Sequence, residues 1–330
     1  MRQAGRYLPE YNSTRKKAGS FMDLCKSPSY ASEVTLQPIE RFGFDAAILF
    51  SDILTIPDAL GFEINFSEGK GPVFSKKIEN EKMIADLGII DPRIELAYVE
   101  KAVNTIKKDL NGKVPLIGFS GSPWTLGCYM ITGSSSKDEF MEARSWMYKN
   151  PKALTSLLEK LELMVFEYCL MQYEAGADIL MIFDSWGGLL NAKQYELFSL
   201  QFIKRIVNKI HKKFPKCPII VFSKGCSHYS RSIAKTGCNV IGLEWTADIA
   251  KVISEVGHSC SFQGNLDPSV LLGTPQHIEK ETKKIIDNFF SLGFKTGHVF
   301  NLGHGISQFT PPDNVTCLVN AVKKFSSIKK

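Results

Sequence analysis

Arginine is scarce in this 330-residue chain, which carries 40 Lys and Arg together and only eight of the latter. Three of the eight, Arg2, Arg6 and Arg15, fall in the first fifteen residues. Other absences narrow the class of protein. No apolar run is long enough to cross a bilayer, so no membrane span is expected. The start has no basic segment followed by an apolar core, so no secretory leader is read there. The eight cysteines contain no C-x-x-C pair, and scattered thiols in a chain this long fit a reducing compartment better than a disulfide framework. Neither G-x-G-x-x-G nor G-x-x-x-x-G-K-[ST] occurs, which removes the phosphate loop that a doubly wound nucleotide-binding sheet wants. The net charge of +6 is modest, and the lysine-rich stretches at 101–113 and 204–216 read as solvated helix faces. They lack the interleaved aromatics of a nucleic-acid surface, so no nucleic acid is expected. A metal site is not expected either. H-S-C at 258–260 precedes a strand, and C-S-H at 226–228 has no evident third ligand.

What the chain does have is a recurring unit. Short apolar, β-branched segments at 45–51, 114–119, 178–183, 218–222, 239–243, 259–263 and 297–302 are each followed by a small or polar residue and a helical pattern. Near-continuous apolar strands are buried on both faces, as parallel strands covered by helices are. Helix starts are legible at Asn150-Pro151, Thr274-Pro275 and Thr310-Pro311, where a capping residue precedes a proline at the first helical position. Composition does not change along the chain, so residues 1–330 read as one α/β domain. A TIM (β/α)8 barrel is the expected fold, one strand short of the required eight. Because Met1 already lies in what reads as a strand-to-helix loop, the first strand is expected upstream of it. The outer edges of 45–51 and 297–302 are then expected to be open.

In such a barrel the chemistry gathers at the carboxyl ends of the strands. Those ends read F-S-D (50–52), S-G-S-P-W-T-L-G-C-Y (120–129), D-S-W-G-G (184–188), K-G-C (224–226), E-W (244–245), G-N-L-D-P (264–268) and G-H-G (303–305). Asp52, placed after an apolar strand, needs something positive or several N–H donors to match it. The alternative is a helix N-cap, a favoured place for Asp. His304 lies between two glycines that would let a ligand approach its ring. Tyr129 reads as lying just inside a helix start, and Ser185 as a helix cap. Ala4 and Gly5 between the first two arginines are expected to leave the backbone accessible to a ligand. Asp184-Ser185 has no visible histidine partner, which speaks against a Ser-His-Asp nucleophile.

The segments M-R-Q-A-G-R-Y-L-P-E-Y (1–11), F-S-D-I-L (50–54), P-W-T-L (123–126) with Tyr129, Q-G-N-L-D-P (263–268) and N-L-G-H-G-I (301–306) resemble, in order and across the whole chain, the uroporphyrinogen decarboxylase family. The resemblance implies a TIM barrel that works as a homodimer without a metal or organic cofactor, in the cytoplasm or a plastid. It implies conversion of the four acetates of uroporphyrinogen to methyls, giving coproporphyrinogen for haem and chlorophyll. Carried over by position, the substrate contacts are Arg2, Gln3, Ala4, Arg6, Arg15, Asp52, Tyr129, Ser185 and His304, with Asp52, Arg2 and Tyr129 catalytic. The residue types agree with that assignment: arginine forks suit the substrate's carboxylates, and one carboxylate suits four converging pyrrole N–H groups. Two rivals stand beside it: a zinc-dependent corrinoid or thiol methyltransferase of the same superfamily, and a non-catalytic tetrapyrrole carrier.

Overall fold

Among the described residues nine strands occur in chain order: β1 Ala47–Ile48, β2 Ile64–Phe66, β3 Pro72–Phe74, β4 Leu116–Gly121, β5 Ile179–Asp184, β6 Ile219–Ser223, β7 Val240–Gly242, β8 Ser261–Leu266 and β9 His298–Leu302. The computed structural model describes residues 3–66, 71–135, 138–294 and 296–327. All seven segments expected as strands form one parallel sheet, in the order β1-β4-β5-β6-β7-β8-β9. Each strand pairs with the next of the series, so the winding never reverses. That order is TIM-like, whereas a doubly wound sheet turns back at a switch point. The small antiparallel hairpin of β2 and β3 is an addition that the sequence reading did not anticipate.

Sequence explains the layers. Every residue of β4 and of β6 is buried, as expected for strands sandwiched between helices and a packed barrel interior. The helix Pro151–Glu174 opens on its N1 proline, and Pro275–Ser291 opens on Thr274, whose hydroxyl accepts the His277 N–H. The last helix starts one residue later than its motif suggests: Pro311 is the cap and Pro312 the first helical residue of Pro312–Ser326. One buried amide replaces a strand partner outright. Gln172 accepts from the Phe119 N–H at 2.8 Å and donates to the Phe119 carbonyl at 2.9 Å.

Among the described residues β1 and β9 do not pair with each other. The gap between them is filled instead. Ala4, Tyr7, Leu8 and Tyr11 from the first segment join Leu266, Leu302, Ile306, Val315 and Leu318 in one apolar cluster, against which Phe44, Phe50 and Phe300 pack. The free edge of β1 is not open as expected, because the Gln3 side chain stands in for a peptide group. Its amide donates to Ala46 O at 2.7 Å, and its carbonyl accepts from the Ile48 N–H at 2.9 Å. Backbone groups that would otherwise lack partners are thus satisfied. On β9, Val299 is exposed while Leu302 is buried.

Candidate functional site

The carboxyl ends of the strands share one face, and Ala4, Tyr7, Leu8 and Tyr11 of the first described segment pack with Leu302 and Ile306 at the end of β9. Tyr7 donates its hydroxyl to Gln3 O at 2.7 Å, and Asn12 donates to Arg6 O at 3.0 Å, which fixes the loop that carries Arg6. Arg2 lies outside the described residues. Arg6 is exposed, whereas Ala4 and Gly5 are buried rather than accessible. Arg15, in the last turn of the helix Pro9–Ala18, donates to Gly19 O at 2.6 Å, a favoured use of a cation at a helix C-terminus. Tyr11 and Phe21 both meet Phe50, at ring-centroid distances of 5.7 and 5.9 Å, so aromatic packing ties the arginine segment to the loop after β1.

That loop carries Asp52, half-buried and four residues beyond the end of β1. Its Oδ1 accepts from the Leu54 N–H at 2.8 Å. This is an Asx turn. The short helix Thr55–Pro57 is capped by Leu54, so Asp52 is not an N-cap. Tyr129 lies seven residues into the helix Pro123–Thr132, well past its start. The described part of that helix is apolar and buried nearly all round, as a core helix must be. Burial pushes the Tyr129 phenol up to about 12, with the nearby Asp52 charge adding to the shift. Tyr129 therefore stays a proton donor at any ordinary pH. Its ring stands 6.4 Å from Phe74, 5.2 Å from Phe140 and 6.2 Å from Trp186.

Ser185 is half-buried in the turn after β5 and caps no helix; the 3₁₀ turn Gly187–Leu189 that follows begins after Trp186. His304 is half-buried after β9, with its ring 5.8 Å from Trp245 in an edge-on contact. The structure thus brings Asp52, Tyr129, Ser185 and His304 to one face. Gln3 spends its side chain on β1, and Arg15 spends its own on Gly19.

His258 and Cys260 sit before β8, at the amino end of the sheet, where His258 stacks on Phe294 at 4.2 Å. Cys226 is buried, and the His228 ring meets Tyr229 in a tilted contact at 3.8 Å. Among the described residues no three His, Cys, Asp or Glu side chains gather as a metal-binding group. No helix of the described residues is long and apolar enough to cross a membrane.

A family model described as uroporphyrinogen decarboxylase (URO-D) matches residues 1–325. The chain belongs to that family. A uroporphyrinogen decarboxylase of Vibrio campbellii is 51% identical over 99% of this chain and 92% of its own length. One from an Azoarcus species is 50% identical over 99% and 90% respectively. Among solved structures, a methyltransferase from Methanosarcina mazei superposes with a TM-score of 0.79 at 19% identity, covering 96% of this chain and 91% of its own. That likeness shows a shared fold and nothing about activity.

Two features of the face were not assigned from sequence. Asp184, at the end of β5, is completely buried and accepts four hydroxyls. Ser122 and Thr125 donate to Oδ1 at 2.7 and 3.3 Å, and Ser199 and Ser223 donate to Oδ2 at 2.8 and 2.6 Å. Burial raises its pKa, and the hydroxyls pull it back. The carboxylate thereby stitches the ends of β4, β5 and β6 together beneath Ser185. The signal for it was the serine or threonine at each neighbouring strand end. The second feature is Lys224, at the end of β6, whose Nζ lies 5.5 Å from the Trp186 ring centroid and 6.0 Å from that of Trp245.

Proposed function

We propose that this chain removes the four acetate carboxyls of uroporphyrinogen, giving coproporphyrinogen and CO2. The observation that carries the reading is the family match along residues 1–325, joined to Asp52 and Tyr129 at the carboxyl face of a TIM-like sheet. The relatives' names supply the substrate; the site supplies a chemical reason for it.

Direct loss of CO2 from a pyrrole acetate would leave an unstabilised carbanion. Protonation of the adjacent pyrrole α-carbon first makes an iminium-like cation. The C–C bond to the carboxylate then breaks and its electron pair neutralises that cation by forming an exocyclic methylene. A proton adds to the methylene carbon, and loss of the α-carbon proton restores the pyrrole with its new methyl. Each acetate consumes one proton and releases one CO2. Asp52, close to the pyrrole nitrogens, stabilises the cation at the moment its charge develops, and such preorganised charge is commonly the largest catalytic contribution. Tyr129 donates a hydrogen bond and takes no proton, because its phenol titrates at about 12. Arg2 is the proposed participant in proton delivery, through a substrate carboxylate or water, since a guanidinium is itself a poor acid. Gln3, Ala4, Arg6, Arg15, Ser185 and His304 are the proposed substrate contacts. Buried Ala4 and the committed Gln3 amide can offer only backbone groups.

The reaction needs no metal or organic cofactor in this reading, and the catalyst is a homodimer of single-domain chains spanning 1–330. One further parallel strand between β9 and β1 would close the ring of eight. The experiment is anaerobic incubation of the chain with uroporphyrinogen, following the seven-, six-, five- and four-carboxyl products. Turnover that persists in a chelator supports the decarboxylase over the zinc methyltransferase. Binding of substrate without any CO2 release would support the carrier.

A further inference from the structure

Lys224 is held in place more firmly than a surface lysine has reason to be. Its backbone N–H donates to Asp184 O at 3.1 Å, and its carbonyl accepts from the Gly188 N–H at 2.9 Å. Gly188 can approach this closely only because it has no side chain: a Cβ there would stand 2.6 Å from Lys224 O. The next residue, Gly225, donates its N–H to the Glu244 carboxylate. Three strand ends, those of β5, β6 and β7, therefore fix one lysine.

The side chain is equally constrained. The rings of Trp186 and Trp245 flank the ammonium from the β5 and β7 loops, in cation–π contact. Trp245 is itself braced, since Gly303 leaves room for its backbone and Asn265 donates to Glu244 O and Ala247 O at 2.9 and 3.0 Å. Among the described residues no carboxylate forms an ion pair with Lys224. Glu244, the nearest acidic neighbour in the chain, is buried and turned toward the Gly225 N–H. Two aromatic faces satisfy part of the ammonium's field but accept no conventional hydrogen bond, so its three N–H donors remain for an anion.

Position gives that anion its identity. In the segments that follow β4 to β9 at the carboxyl face, 122–128, 185–190, 224–226, 243–248, 267–272 and 303–308, Lys224 is the only Lys or Arg. β6 is the middle strand of the seven. Arg6 belongs to the segment whose Ala4, Tyr7, Leu8 and Tyr11 pack with Leu302 of β9 and against Phe50 beyond β1, the two ends of the strand order. A ring-shaped substrate with carboxylates around its whole circumference cannot have both sides matched from one loop. We infer that Lys224, cradled by Trp186 and Trp245, is a second carboxylate subsite, gripping a peripheral acid group of the tetrapyrrole on the side opposite the arginine loop. The inference rests on the substrate class of the proposed function, and nothing in the resemblance assigns this residue.

The test compares the wild type with Lys224→Gln, Lys224→Met and Lys224→Arg in two assays. The first is binding of uroporphyrin, the oxidised octacarboxylate, read by quenching of tryptophan fluorescence. The second is turnover of uroporphyrinogen. Losing a charged hydrogen bond should weaken binding about ten- to hundredfold in the Gln and Met variants. KM should rise by a similar factor while kcat stays within about threefold, because a peripheral grip is the same in ground and transition states. Arg should recover most of the affinity, and the melting temperature of all four proteins should agree. Unchanged binding in both neutral variants overturns the subsite. So does a fall in kcat and melting temperature with KM unmoved, which is the signature of a lysine that only braces the two tryptophans. A wild type that binds uroporphyrin but releases no CO2 refutes the decarboxylase reading, while the binding comparison still decides the role of Lys224.

Discussion

Tyr129 shows how one side chain takes its chemistry from its surroundings. The residue type alone offers either a base or a donor; burial beside an anionic Asp52 leaves only the donor, with the phenol raised to about 12. Tyr129→Phe removes one hydrogen bond without opening a cavity. We expect kcat/KM to fall roughly tenfold, with the pH profile between 6 and 9 keeping its shape. A profile limb that disappears in the variant would mean that Tyr129 titrates during turnover, against this account. Asp52, Tyr129, Ser185 and His304 were legible as candidates because each lies beyond a strand in an otherwise apolar context. Contacts that span long stretches of the chain were not legible. The bond of the Gln3 side chain to a strand 43 residues away is one of them.

At the scale of elements, the strand ends are coupled through Asp184. Replacing it with Ala leaves the hydroxyls of Ser122, Thr125, Ser199 and Ser223 without their acceptor inside the protein. The expected loss is roughly 2–4 kcal/mol of unfolding free energy, measured by denaturant titration. A change below about 0.5 kcal/mol would show that the network stores little. β9 offers a pH signature. His298 stacks on Phe289 at 3.7 Å and bonds Gly264 O at 2.7 Å, and burial lowers its pKa to about 4. The unfolded chain, with an ordinary histidine near 6.5, binds this proton more readily than the fold does. The stabilisation is therefore complete above about 6.5 and is lost as pH falls toward 4. It amounts to at most about 3 kcal/mol. His298→Phe should flatten that part of the stability curve, and an unchanged slope between pH 6.5 and 4 would contradict it. The strands themselves were legible because seven apolar runs alternate with proline-capped helices. The β2–β3 hairpin was not, since I-N-F and P-V-F are too short to carry a period.

For the whole molecule, the order of strands and the filling of the gap between β9 and β1 follow from contacts that no local pattern encodes. The first segment contributes both its arginines and the Tyr7, Leu8 and Tyr11 side chains that anchor it between the two edges. The Gln3 amide completes that joint. Gln3→Leu would strand Ala46 O and the Ile48 N–H, with an expected loss of about 1–3 kcal/mol. It should also reduce turnover, because loosely held charges lose much of their effect. A variant with wild-type stability and rate would show that the first segment is placed by other means. The same dependence on assembly explains why Lys224 was read as one letter of K-G-C. Its partners, Trp186 and Trp245, come from different strands.

The central claim is that Asp52 supplies the charge on which decarboxylation depends. Its most direct test is the rate of CO2 release from uroporphyrinogen by the wild type, Asp52→Ala and Asp52→Glu at matched, verified folding. The account predicts conversion of substrate to the four-carboxyl product by the wild type. It predicts a fall of at least roughly a hundredfold in Asp52→Ala and partial recovery in Asp52→Glu, which keeps the charge but displaces it. Near-wild-type release of CO2 by Asp52→Ala would remove Asp52 from the mechanism and contradict the account.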